Sequence, residues 1–430
     1  MKKIIALILA TASLLTFTCC DAFGGDQSNS VSEMEASGST ETSLIEEKQP
    51  LKTVEEIMAE TSAEDLSCAA YDREKYLASI WDSQIVYNET VCFIRNEDGS
   101  FPVEQLAYPI AKVLEVRDST LGTLYTEGVD YEIVEGGIRL LENTSVEHFQ
   151  FNDFYLKDRP TSSSVVKSLE YSDRYLKLGD GGYFYSRQTC VTYIRTMEYD
   201  GPKVRTDYDL IPNTIEKLEN KEEINMVYFG DSITTGSSVS GWQFANIAPY
   251  TPIFSDMITE KLKDYYGYDK INVKNTAVGG WTASGAKDSA TVTDMVIQHN
   301  PDLVVLAFGM NDAGGTVNPN FRQAFETNIE TIISYVRRFL PDCEFILVST
   351  MLPNPDAEGT LANHRACKEA LENLVDAYEG IALADMTTMS DWLLERKGFH
   401  DMGDNLVHPT DFLSRIYAQV ILSNLIKDFD

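Results

Sequence analysis

The sequence predicts an α/β domain whose parallel sheet is covered by helices on both faces, preceded by an all-β domain. Two observations carry this. From about Glu216 onward, apolar β-branched runs ("INMVYFG", "INVKNTAV", "DLVVLAFG", "EFILVST", "IALADM") alternate with amphipathic segments such as "FRQAFETNIETIISYVRRFL" and "DFLSRIYAQVILSNLI". That rhythm builds parallel strands joined by crossover helices. From about Ala70 to Val204, runs such as "SQIVYNETVCFIR", "IAKVLEVRD" and "GVDYEIVEGGIRLL" are instead separated by Gly, Asp, Asn and Ser turns, with no helical period of comparable length. A β-sandwich of about eight strands is the reading.

With 430 residues the chain is long enough for two cores plus accessory segments. The start "MKKIIALILATASLLTFTCC" has a lysine pair, a short apolar run and then cysteines, which is the layout of an export signal over 1–20. The string "LLTFTCC" resembles a lipoprotein cleavage site, with Cys19 or Cys20 as the lipidated residue, although Phe17 and Thr18 are larger than the residues usual there. Residues 21–69 are rich in Ser, Thr and Glu and read as a solvated tether, with a short helix over "VEEIMAE". The β-domain then spans 70–211 and the α/β domain 212–430. The protein is expected to be secreted, either free or lipid-anchored at the cell surface. A balance of 67 acidic against 35 basic side chains, net charge -32, argues against nucleic acid as a partner. The five cysteines beyond the signal (Cys68, Cys92, Cys190, Cys343, Cys367) are odd in number and widely spaced, which indicates neither a zinc site nor a disulfide framework.

Ligands on open parallel sheets sit at the carboxyl ends of the strands. There the first three strands of the α/β domain end in "GDSITTG", "NTAVGGW" and "GMND", and the chain closes with "GDNLVHPTDF". Ester hydrolysis needs an alcohol nucleophile, a base and donors for an oxyanion. Ser232 can present its hydroxyl and its own N–H at a tight turn, Gly280 offers an unobstructed N–H, and Asn311 offers an uncharged NH₂. His408 is the base, with His400 as its rival. His148, His299 and His364 read as surface residues. No metal and no organic cofactor are needed. Asp231 and Ser232 taken alone would equally well cap a helix. Trp281 and Trp242 are either core aromatics or surfaces that stack on a sugar.

The strings "GDSIT", "NTAVGG", "GMND" and "VHP" resemble, in order, the four blocks of the SGNH (GDSL-type) hydrolase superfamily over about 222–428. The resemblance implies a flavodoxin-like three-layer α/β/α fold, with Ser232 as nucleophile, Ser232, Gly280 and Asn311 as the oxyanion hole, and His408 as base. The β-sandwich ahead of it (jelly-roll-like) and the wording "YDGPK...LIP" before the serine block are similar to the second carbohydrate esterase family. An acetylated polysaccharide or oligosaccharide is then the expected substrate and acetyl removal the reaction. A lipase, lysophospholipase or thioesterase on the same fold, or a non-catalytic glycan-binding surface protein, are the rivals.

One block departs from the family. Its pattern is Asp-x-x-His, yet three residues before His408 stands Asn405, with Asp404 one position further away. Three readings follow: Asp404 reaches the ring through a one-residue adjustment, Asn405 or a backbone carbonyl replaces it, or the more remote Asp401 does.

Overall fold

The computed structural model describes residues 50–159, 165–179 and 182–429. The export signal, Cys19, Cys20 and most of the predicted tether lie outside them. The fold begins earlier than Ala70, which corrects the boundary drawn at 69. Residues 50–429 belong to one compact unit. Thr53 and Glu56 form a capping box that starts the expected helix, Val54–Glu60, and Ile57 anchors that helix from one face. Cys68 is buried, and its carbonyl accepts the side-chain N–H of Asn88. The acidic composition of this stretch concealed a few apolar anchors.

The N-terminal half holds eight strands among the described residues: β1 (Ile85–Cys92), β2 (Lys112–Arg117), β3 (Tyr131–Val134), β4 (Gly137–Leu140), β5 (Tyr155–Leu156), β6 (Val165–Lys167), β7 (Tyr175–Lys177) and β8 (Gln188–Ile194). They pair antiparallel, as expected, but divide among three small sheets ordered β1-β8-β2, β3-β4 and β5-β7-β6. Most are short, so side-chain clusters rather than long ladders join the sheets. One cluster gathers Phe149, Phe151, Phe154, Tyr155 and Phe184 and includes Leu406 of the C-terminal half.

In that half β9 (Ile224–Gly230), β10 (Ile271–Asn275), β11 (Leu303–Ala307), β12 (Glu344–Ser349) and β13 (Ile381–Asp385) form one parallel sheet in the order β10-β9-β11-β12-β13. This is the flavodoxin-like order. Alternate residues face opposite layers, as a pleated strand requires. Met226, Tyr228, Val305 and Ile346 pack with helices Phe254–Tyr266 and Asp411–Leu422, whereas Val227, Phe229, Val304 and Phe345 pack with Phe321–Phe339 and His364–Ala377.

The first of these cores is continuous with Val91, Phe93, Tyr108, Val191 and Tyr193 of the β-half. Helix Asp411–Leu422 is therefore enclosed on all sides, and its twelve residues are all buried. A buried ion pair also crosses the junction: Lys397 Nζ lies 2.6 Å from Glu89 Oε1 and donates to the Thr90 carbonyl at 2.8 Å. Among the described residues no helix is long and apolar enough to cross a membrane.

Candidate active site

Strand β9 ends at Gly230, and the chain then makes one tight, helix-like turn, in which Thr235 N–H donates to Asp231 O and Ser237 N–H to Ser232 O. No regular helix follows directly; the next begins at Phe254. Asp231 does act as a local cap, accepting Ile233 N–H at 3.0 Å. Burial pushes its carboxyl up to about 7, against the opposing effects of that hydrogen bond and of nearby His408. Ser232 follows it with 9% of its surface exposed.

The ends of β10 and β11 converge on the serine. A Cβ placed on Gly279 would lie 3.7 Å from Ser232 Cβ, which brings the "GGW" string against the serine turn. Gly280 has φ +79° with open space around it, a left-handed conformation that glycine adopts without strain. Asn311 Nδ2 donates one hydrogen to Trp281 O at 2.9 Å, which fixes the amide and leaves its second N–H to point elsewhere. Asp312 Oδ2 accepts Ala283 N–H at 3.1 Å, so the "GMND" turn is tied to the segment after Gly280 at a second point. Neither this tie nor the interlock through Trp281 O was expected from sequence.

His408 completes the line. Its Nε2 is 2.9 Å from Ser232 Oγ and its Nδ1 is 2.6 Å from Asp404 Oδ2. Asp404 is thus the group beside the ring, and the readings that gave this place to Asn405, a backbone carbonyl or Asp401 are corrected. Asp404 Oδ1 accepts the N–H groups of Leu406, Val407 and His408, and Asp404 N–H donates to His408 O. Burial opposes its charge, but the hydrogen bonds and charge of His408 outweigh burial and hold its carboxyl below the ordinary aspartate value. The loop accommodates the extra residue because Asn405 takes φ +72°. Asn405 turns away from the ring, toward Asn354 and Lys177. Asp401 is engaged elsewhere, accepting Cys92 N–H and Gly398 N–H.

Other expectations change as well. His400 packs edge-on against Phe154 rather than reaching the serine. His364, read as a surface residue, is buried at the start of its helix, and burial lowers its imidazole to about 4. His148 and His299 are half-buried. Trp281 is half-buried, with its ring against Phe229 and its carbonyl serving Asn311. Trp242 lies beside Gly236 at the end of the serine turn, 3.7 Å from where that glycine would carry a Cβ, and meets the 75% exposed Phe244 edge to face. Ser238 Oγ, 3.4 Å from Asp404 Oδ2, was not foreseen; a lone serine after the block carries no signal. The five cysteines outside the signal are unpaired and buried.

Residues 228–415 match the GDSL-like lipase/acylhydrolase family. The match falls within the α/β half of the chain. No curated protein matches the sequence. Solved structures similar to the chain include a two-domain esterase active on acetylated mannans, co-crystallized with mannopentaose (18% identity, TM-score 0.39, covering 51% of this chain and 53% of that one). An acetyl xylan esterase (22%, 0.36, 47% and 100%) and an acetylxylan esterase from Geobacillus stearothermophilus (16%, 0.37, 48% and 95%) are also among them. The chain thus spans about half the length of the first of these. Within the GDSL-like half, the four blocks described above supply the serine turn, the glycine, the asparagine and the histidine.

Proposed function

We propose that the protein is a serine esterase that removes acetyl groups from carbohydrate. The observation that carries the reading is the line Asp404–His408–Ser232, with contacts of 2.6 and 2.9 Å. Ser232 Oγ attacks the acyl carbon while His408 Nε2 takes its proton, and the Asp404 carboxylate stabilises the imidazolium that forms. The oxyanion is held by the N–H groups of Ser232 and Gly280 and by the second N–H of Asn311. His408 returns its proton to the departing sugar alcohol. Water then attacks the acyl-enzyme by the same route.

The carbohydrate preference is supported by the resemblance to the second carbohydrate esterase family. It is also supported by the aromatic pair Trp242 and exposed Phe244, with Trp242 beside Gly236 at the end of the serine turn, since aromatic rings of this kind can stack on a sugar. On this reading Trp281 serves mainly to hold Asn311. The N-terminal sequence supports export, with lipid attachment at Cys19 or Cys20 keeping the enzyme at the cell surface. Labelling with a radioactive fatty acid, with each cysteine replaced in turn, tests that part.

Acetate release from a panel of acetylated glycans, by wild type and by Ser232→Ala, tests the main reading. The wild type should release acetate and the variant should not. In a series of nitrophenyl esters, activity that keeps rising beyond butyrate would favour a lipid or thioester hydrolase instead. Glycan binding with no ester cleavage at all would favour a non-catalytic surface protein.

A further inference from the structure

Asn405 is the residue that absorbs the extra length between Asp404 and His408. It is fully buried, and its left-handed backbone is one that Asn tolerates and bulkier residues do not. Three bonds hold it there. Asn354 Nδ2 donates to both the Asn405 carbonyl (3.0 Å) and Oδ1 (2.8 Å), and Asn405 Nδ2 donates to the Lys177 carbonyl (2.8 Å). Next along the loop, the Leu406 carbonyl accepts Asn354 N–H at 2.9 Å.

Both anchors trace back to the sheet β5-β7-β6. Lys177 ends β7. Asn354 lies in the loop after β12, which is fastened to the same sheet through Asp356, whose carboxylate accepts Ser168 Oγ and the N–H groups of Leu169 and Glu170. Glu358 N–H donates to Lys167 O as well. The catalytic loop is thus registered against a sheet of the N-terminal half by two routes that meet at Asn405, directly through Lys177 and by way of Asn354.

We propose that Asn405 is a positioning residue that acts through Asp404, and that the β5-β7-β6 sheet is the frame against which it holds that carboxylate to His408. This rests on the reading of Ser232, His408 and Asp404 as the reacting groups. It assigns to part of the β-half a role in catalysis that substrate binding alone would not require.

Asn405→Gly tests the idea, because glycine keeps the left-handed backbone and removes both side-chain bonds. Expected on nitrophenyl acetate is a fall in kcat of about 10-fold to 100-fold, the scale for outer groups that orient reacting ones. KM should stay within about twofold, because substrate contacts are untouched. The low-field proton resonance of the His408 Nδ1–H bond should weaken or shift, a change that a merely structural role would not produce.

Asn354→Asp, which keeps shape but replaces the donor, should act in the same direction. Combined with Asn405→Gly its effect should be less than additive, since the bond from Asn354 Nδ2 to Asn405 Oδ1 is lost in both. A folded Asn405→Gly with wild-type kcat and an unmoved proton signal would overturn the proposal, as would both variants failing to fold. If instead the wild type cleaves no ester, it is the proposed function that fails.

Discussion

Replacing Asp404 with asparagine separates the two tasks of its carboxylate. Oδ1 shapes the loop by accepting three backbone N–H groups, at 3.0, 3.1 and 3.1 Å, while Oδ2 faces His408 Nδ1 at 2.6 Å. Asparagine keeps an oxygen for the loop and puts an NH₂ opposite Nδ1. That donor favours the tautomer with its proton on Nε2, the atom 2.9 Å from Ser232 Oγ, so the ring cannot take the serine proton. The same exchange in a serine-protease triad lowers kcat about 10⁴-fold. Converted at the constant for tenfold in rate, that is about 5.5 kcal/mol of barrier. Steady-state kinetics on nitrophenyl acetate, with a thermal unfolding midpoint for each protein, measure it. kcat should collapse with the midpoint nearly unchanged. Asp404→Ala should lose stability too, by about 1 kcal/mol for each loop hydrogen bond removed. A loss below about tenfold in Asp404→Asn would refute this reasoning and point back to a dyad, in which the acid contributes little.

Asn311→Ala removes the amide proposed as an oxyanion donor and should lower kcat by about 10²–10³-fold on the same substrate; an unchanged kcat would take Asn311 out of the mechanism. Lys397→Met leaves the Glu89 carboxylate buried without its cation, and urea unfolding should show a loss of about 3–5 kcal/mol, most of it recovered when Glu89→Leu is added. His364, whose imidazole is held at about 4 by burial, contributes stability that is complete above its unfolded value near 6.5 and is lost as pH falls through the folded one. That gap is worth roughly 3 kcal/mol, so His364→Gln should flatten the fall in unfolding free energy between pH 7 and pH 4, and an identical slope would show that another group controls it.

How far sequence could be read depends on whether the relevant physics is local. Each strand of the C-terminal half is signalled by an apolar run of its own, and β9 to β13 fall where the runs are. The strand ends carry Ser232, Gly280 and Asn311 by direct succession, and the topology does the rest. The interlock among them was not legible, since Asn311 to Trp281 O and Asp312 to Ala283 N–H are contacts between distant loops that no spacing encodes. The burial of His364 was hidden for a similar reason. A histidine opening an amphipathic helix looks exposed until the backbone of Met310, just past the end of β11, is seen to hydrogen-bond its ring.

The spacing before His408 is the most informative case. A family pattern counts residues, whereas a carboxylate needs only the right distance, and one left-handed residue converts four positions into the reach of three. Asn405 was therefore the correct place to see the departure and the wrong residue to credit with the acid's role. That conversion has a requirement of its own: a strained turn persists only where surrounding structure over-determines it. Here the bonds from Asn354 and to Lys177 supply the constraint, and one of them comes from the β-half. The same half encloses helix Asp411–Leu422, which directly follows the histidine and has no face left for solvent. In this chain the two halves therefore share both the core and the loop that the acid depends on.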